Sequence, residues 1–306
     1  MFWIKLRKAG RAIAQLGRVG IALLLLIGLM VLSPAWAHAG PLQMGKEAVH
    51  NQDYAIALQL FSQAIRQQDD PGAAYSNRCL VYLLMNLPQP AAEDCTVALQ
   101  LNPTRSRVRF YRGLAYYRLA RYDEANSDLT QYLQRFPQDA RAYYNRGLTI
   151  FAGGKVEPAI ADYHQAIAYS SVSSLHPLEI ANLPNDLGVA YLAAHQLDAA
   201  IAALDKAVAL TADDPRAYFN RGCVAYHQGH YAAALRDFEH VLALDPTHAE
   251  AYFSRSLVRQ QTGHYNGAIA DLEAAIEHFQ QRGDTEGVHR AKVHLWQFTL
   301  PARAIG

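Results

Sequence analysis

An arginine followed by a small residue, usually with asparagine before it, returns along this chain at a spacing of 34 residues. The series reads Asn77-Arg78-Cys79, Tyr111-Arg112-Gly113 and Asn145-Arg146-Gly147, then after a longer step Asn220-Arg221-Gly222 and Ser254-Arg255-Ser256. Thirteen residues beyond each arginine stands an alanine: Ala91, Ala125, Ala159, Ala234 and Ala268. A unit of that length is one supersecondary element, too small to bury its own apolar face, so neighbouring units must stack to make a core. Such an array presents a long surface and lacks the crevice that an open sheet offers at a switch in strand order.

With the glycine of each Arg-Gly pair set as position 8, seven frames follow: 38–71, 72–105, 106–139, 140–173, 181–214, 215–248 and 249–282. Within each frame apolar residues recur at helical spacing in two blocks. The blocks are separated by turns such as Gly153-Gly154-Lys155 and Gly229-His230-Tyr231. Pro103, Pro137 and Pro246 follow second blocks, where proline stops a helix. Pro90 and Pro158 fall in the first turn of a second helix, where proline is tolerated. Position 20 is Ala in all seven frames, from Ala57 to Ala268, and position 27 is Ala in five, the exceptions being Tyr132 and Val241. Position 24 is large in six (Phe61, Leu129, Tyr163, Leu204, Phe238, Leu272) and Cys95 in the other.

These residues resemble the tetratricopeptide repeat, a helix-turn-helix unit of 34 residues. The resemblance spans 38–282 and implies an all-α, right-handed superhelical solenoid of seven such units. Val288, Ala291, Leu295 and Phe298 then recur at helical spacing within 283–306, which gives a capping helix and tail. The interval 174–180 is an insertion of seven residues, either a loop or a lengthened helix end, and offsets the stacking around it.

Position 7 is Arg in five frames (Arg78, Arg112, Arg146, Arg221, Arg255), and in those five position 23 is Asp (Asp94, Asp128, Asp162, Asp237, Asp271). The other two frames carry Met44 with Leu60 and Leu187 with Ala203. Charge and counter-charge occur together or not at all. A buried charge without its partner costs several kcal/mol, whereas an apolar pair at the same place costs little. The arginines are therefore expected to brace the two helices of one unit.

Residues 1–37 stand apart. They contain Lys5, Arg7, Lys8, Arg11 and Arg18 and no acid, then an apolar run from Ile21 to Leu32, then Ala35-Trp36-Ala37-His38-Ala39. A basic region, a short apolar region and a small-x-small ending read as an export signal. The alternative is an uncleaved anchor, the only route by which a membrane enters this reading. The leader holds five of the 28 basic residues and none of the 27 acidic ones, so the remainder is net −4. That balance lacks the basic footprint of general nucleic-acid binding. Cys79, Cys95 and Cys223 are an odd number for an exported chain. Cys79 and Cys95 lie on facing helices of one unit, as either a disulfide or two core thiols.

In the family the first helix of each unit lines a concave channel, into which positions 2, 5, 6, 9, 12 and 13 point. Position 6 carries Asn77, Tyr111, Asn145 and Asn220, and the asparagine amides can hold an extended peptide by its backbone; the alternative is a merely solvated wall. Positions 5 and 12 add Phe110, Tyr144, Phe219, Tyr117, Phe151 and Tyr226, aromatics of the kind that anchor partners. Position 2 is Arg107, Arg141 and Arg216, in a first turn where a cation opposes the helix dipole. Either local acids (Asp139, Asp213, Asp214) or an acidic partner answers it. Residues 105–146 hold nine arginines against four acids, with Arg118 among those outside the position-7 pattern, which favours acidic character in a partner near repeats three and four. The carboxylate clamp of some family members is not reproduced, because Leu114, Leu148 and Leu257 stand where it needs Asn.

No nucleophile elbow, zinc-protease helix or phosphate loop occurs, and the pairs His227/His230 and His289/His294 lack further ligands at motif spacing. The sequence thus reads as a non-enzymatic scaffold that needs no cofactor and binds a protein or peptide. A self-assembling structural adaptor and an accessory subunit of an enzyme complex are the alternatives. The Asn-Arg-Gly spelling with the leader is similar to cyanobacterial repeat proteins. That resemblance implies the periplasm or thylakoid lumen, and a part in assembling envelope or photosynthetic complexes.

Overall fold

The computed structural model describes residues 40–170 and 177–299. The leader at 1–37 and the tail at 300–306 lie outside the described residues. Among the described residues every regular element is an α-helix, and there are fifteen. They run α1 Pro41–His50, α2 Tyr54–Arg66, α3 Pro71–Leu84, α4 Pro88–Leu101, α5 Ser106–Arg118, α6 Tyr122–Arg135, α7 Ala140–Ala152 and α8 Val156–Tyr169. Then come α9 Pro177–Ala193, α10 Leu197–Leu210, α11 Pro215–His227, α12 Tyr231–Leu244, α13 Ala249–Gln261, α14 Tyr265–Gln281 and α15 Thr285–Thr299. The chain divides into two compact units, the first ending at Tyr111 and the second beginning at Arg112, within α5.

The turn between the helices of each hairpin has one fixed feature. Its position-15 residue lies in the left-handed region: Gln52, Asn86, Ala120 and His195 at φ 56–63°, Gly154, Gly229 and Gly263 at 75–81°. That conformation ends the first helix and sends the backbone N–H groups onto its last carbonyls, as in Lys155 N to Ile150 O and His230 N to Ala225 O. Three first helices are started by aspartates: Asp70 accepts from Ala73 N–H, Asp139 from Arg141 and Ala142 N–H, and Asp214 from Arg216 N–H; His248 caps α13 in the same way through Ala251 N–H.

Each hairpin closes where position 8 meets position 24. A Cβ on Gly45 would sit 2.5 Å from the Phe61 ring, on Gly147 2.7 Å from Tyr163, on Gly188 2.5 Å from Leu204 and on Gly222 2.8 Å from Phe238. The missing side chain is what lets the large one seat, and Phe61, Tyr163, Leu204 and Phe238 are all essentially inaccessible. In the second hairpin the same contact is covalent: Cys79 and Cys95 form a disulfide, with Cα atoms 5.5 Å apart. A disulfide is the outcome of the two alternatives for this pair.

In the first unit α2 packs on both α1 and α3, and Ala48, Ala57, Phe61 and Val81 form the core between them. In the second unit the cores lie between successive hairpins, one around Tyr144, Tyr163, Leu183 and Leu187 and another around Ala225, Phe238 and Val258. Residues 177–180 of the inserted interval are helical and lengthen the start of α9, which carries Pro184 in its interior. At the other end α15 packs on α14, closing the core of Leu272, Ala275, Phe279 and Ala291 with Val288, Leu295 and Phe298.

Candidate functional site

All five position-7 arginines grip their aspartates side-on. The Nε and Nη2 distances to the two carboxylate oxygens are 2.6 and 2.8 Å for Arg78–Asp94 and for Arg112–Asp128. They are 2.7 and 2.7 Å for Arg146–Asp162, 2.9 and 2.7 Å for Arg221–Asp237, and 3.0 and 2.7 Å for Arg255–Asp271. The aspartates are buried, and the arginines reach them from the edge with apolar stems packed. Two partners went unread in the sequence. Nη1 continues to the second helix of the preceding hairpin, from Arg78 to Ser62, Arg146 to Thr130 and Arg221 to Asp205. Four of the five guanidinia also lie over a position-4 tyrosine (Tyr75, Tyr143, Tyr218 or Tyr252, at 5.3–5.5 Å), and Arg112 lies over Tyr116 at 5.5 Å. The recurrence of Tyr at position 4 is the signal that would have found this. Hydrogen bonding to the aspartate raises the pKa of Arg78, Arg112, Arg146 and Arg221 above its already high value, so these charges are permanent and internally committed.

The residues expected to face a partner divide into three groups. Phe110 and Tyr144, at position 5, are core residues, each 7% exposed, and this corrects their placement on an open face. Position 5 looks toward the neighbouring first helix, and Tyr144 carries its hydroxyl there to donate to Asp186 at 2.6 Å. Phe219 is half-buried and stacks on Phe238 and His248, so it too leans into the core.

A second group is spent on contacts between hairpins. Asn220 donates to Asn185 Oδ1 at 2.8 Å, 35 residues away, instead of standing free in a ladder. Arg216 is held by Asp214 at 2.7 Å and by Asn182 Oδ1 at 2.9 Å, so a local acid answers it. Burial alone would raise the Asp214 carboxyl, but the hydrogen bonds and charge of Arg216 hold it below the usual range. Arg141 likewise stands 3.9 Å from Asp139. Asp186, the position-6 residue of α9, is pushed up by burial although Tyr144 and Asn185 donate to it. Tyr144, Asn185, Asp186, Asn220 and Arg216 thus tie α7, α9 and α11 together across the face read as a channel.

The third group lies exposed or half-buried, Arg141 among it despite its contact with Asp139. In the first unit Arg107 is exposed and Tyr111 and Asn77 are half-buried; Asn77 returns one amide hydrogen to Ala73 O and keeps its carbonyl oxygen. In the second unit Asn145 does the same with Arg141 O, while Arg118 and Arg141 are exposed. Tyr117, Phe151, Leu192 and Tyr226 occupy position 12 on α5, α7, α9 and α11, and all four are half-buried. Tyr117 and Tyr226 each lean on the position-17 tyrosine of their own hairpin, Tyr122 and Tyr231, at ring distances of 6.2 and 5.9 Å. The arrangement is one large, half-buried side chain per hairpin at position 12, two of the four braced by a neighbouring tyrosine ring.

Comparison with known proteins fits this construction. Models of the tetratricopeptide repeat match residues 111–172, 187–251 and 220–284, together more than half of the chain. Over 81 residues the chain is 31% identical to sperm-associated antigen 1 of Homo sapiens, a stretch equal to 26% of this chain and 9% of that protein. The structure of the APC/C hetero-tetramer Cut9–Hcn1 superposes with a TM-score of 0.59 at 20% identity, covering 71% of this chain and 42% of that one. YrrB, a TPR protein with an unusual peptide-binding site, superposes with a TM-score of 0.52 at 22% identity, covering 66% and 98%. The chain thus spans less than half the length of the first two, and the structural likenesses establish the fold. By its period, its braces and these matches, the chain belongs to the tetratricopeptide-repeat family.

Proposed function

We propose that this chain, like tetratricopeptide arrays in general, is a protein-interaction scaffold, here non-enzymatic and holding an extended segment of a partner protein against the first helices of its second unit. The observation that carries the proposal is the position-12 row of Tyr117, Phe151, Leu192 and Tyr226, half-exposed on four successive first helices. Large, nearly rigid side chains give contact area with little rotamer entropy to lose, the composition of binding hot spots. Arg118 and Arg141 beside the row favour a segment with acidic residues. The same proposal puts the protein in an exported compartment, periplasm or thylakoid lumen, on the reading of the leader, and the Cys79–Cys95 disulfide supports it, since such bonds persist in oxidising compartments.

The test is affinity capture from an extract of the native source, with the wild-type chain and with Tyr117→Ala/Phe151→Ala/Tyr226→Ala. The triple variant is expected to keep its far-UV spectrum and lose the captured partners. A folded triple variant that captures the same partners at the same yield refutes the proposal.

A further inference from the structure

The hairpin of α9 and α10 is the one interior hairpin without the Arg–Asp brace. The first hairpin also lacks it, but no hairpin among the described residues precedes it for an Nη1 group to reach. In the α9–α10 hairpin Leu187 and Ala203 stand where Arg and Asp stand elsewhere, and both are buried. A leucine and an alanine are shorter than a guanidinium on its stem with a carboxylate. The space they leave is a groove of about 620 Å³ between α8, α9 and α10. Leu183, Leu187 and Ala203 form its floor, continuous with the core around Tyr163. Ile167 and Leu210 form its walls and are 42% and 56% exposed, a patch of apolar surface that no described residue covers. Along α10 the lining runs from Ala199 through Ala202 and Lys206 to Leu210, about 16 Å at 1.5 Å per residue.

Polar groups in the groove are few and placed apart. At one end His164 Nε2 and Tyr191 Oη are bonded to each other at 2.7 Å, so neither seeks a further partner strongly. Lys206 is the one fully charged lining residue, and it forms no ion pair among the described residues. A mostly apolar cavity of this volume with a small number of polar groups is the usual form of a small-molecule site. We infer that the groove on this outer side of the second unit binds an aliphatic chain ending in a carboxylate, the chain over Leu183 and Leu187 and the carboxylate on Lys206. This site shares no lining residue with the partner-binding row of position 12.

The probe is dodecanoate, below its micelle-forming concentration, titrated calorimetrically into the full chain. Wild type is expected to bind it saturably with one site, and dodecanol more weakly. Leu187→Arg/Ala203→Asp should restore the brace, fill the groove and weaken dodecanoate binding by about tenfold or more while the melting temperature holds or rises. Ala202→Trp, at an exposed position on the groove wall, should block binding equally and needs no buried pair to form. Lys206→Gln should erase the preference for dodecanoate over dodecanol. Absence of saturable binding to wild type overturns the inference, as does undiminished binding to a folded Ala202→Trp chain or a carboxylate preference that survives in Lys206→Gln.

Discussion

Removing Arg146 measures what the brace is worth. Its carboxylate partner, Asp162, is 7% exposed at the side chain and takes both strong hydrogen bonds from this one guanidinium. Arg146→Ala leaves that carboxylate buried without its counter-ion, which costs on the order of 3–5 kcal/mol. The Tyr143 face and the 3.2 Å bond to Thr130 go with it, adding about 0.5–1 kcal/mol for the cation–π contact. Asp162→Ala is gentler, because Arg146 sits at the edge with its side chain 20% exposed and can turn toward water; about 1–2 kcal/mol is expected. Arg146→Leu/Asp162→Ala reproduces the Leu187/Ala203 pair of the α9–α10 hairpin, and should regain at least half of the single-arginine loss. The assay is urea unfolding of these chains followed by far-UV circular dichroism, with Arg146→Leu added to close a double-mutant cycle whose expected coupling is about 3 kcal/mol. If the double variant is no more stable than Arg146→Ala, the carboxylate is not stranded by losing its arginine and the account of the brace is wrong.

Four further outcomes are expected. Asp186 has a raised pKa in the folded chain, so its contribution to stability is present below the unfolded carboxyl value of about 3.9 and is lost as pH rises through the folded one. Asp186→Asn should therefore be more stable than wild type at pH 7, with the gap closing toward pH 4 in paired urea titrations. Ala120 sits at φ 57° where three other hairpins have glycine, so Ala120→Gly should raise stability by about 0.5–1 kcal/mol, with unchanged or lower stability refuting the strain. Reducing the Cys79–Cys95 bond, which spans 16 residues, should cost about 3 kcal/mol, and Cys79→Gly/Cys95→Leu should make unfolding indifferent to reductant. Burial pushes the Cys223 thiol up to about 12, although Ser254 hydrogen-bonds to it, so a thiol reagent at pH 8 should label this chain only after unfolding.

The period and the position-7/position-23 pattern were legible because they depend on contacts within one hairpin, sixteen residues apart in the chain. Position 8 against position 24 was legible for the same reason, and there the Cys79–Cys95 exchange for Gly–large could be seen but not its oxidation state. The orientation of positions 5 and 6 was not. Phe110 and Asn185 look alike on a helical wheel whether they meet a partner or the next first helix, and both are buried. Tyr144 reaches Asp186 across 42 residues, and Asn220 reaches Asn185 across 35, contacts that depend on how far one hairpin is turned against the next.

By itself, then, the sequence determined the elements and their internal bracing: helix pairs, turns at position 15, aspartate caps and five Arg–Asp grips, each set by residues close along the chain. Tertiary structure alone decided which first-helix side chains remain open. It turned Tyr144, Asn220 and Arg216 into ties between hairpins, left the position-12 row uncovered, and opened a groove at Leu187 and Ala203. Those outcomes rest on the packing angle between successive hairpins, a quantity summed over many weak contacts and written in no single repeat.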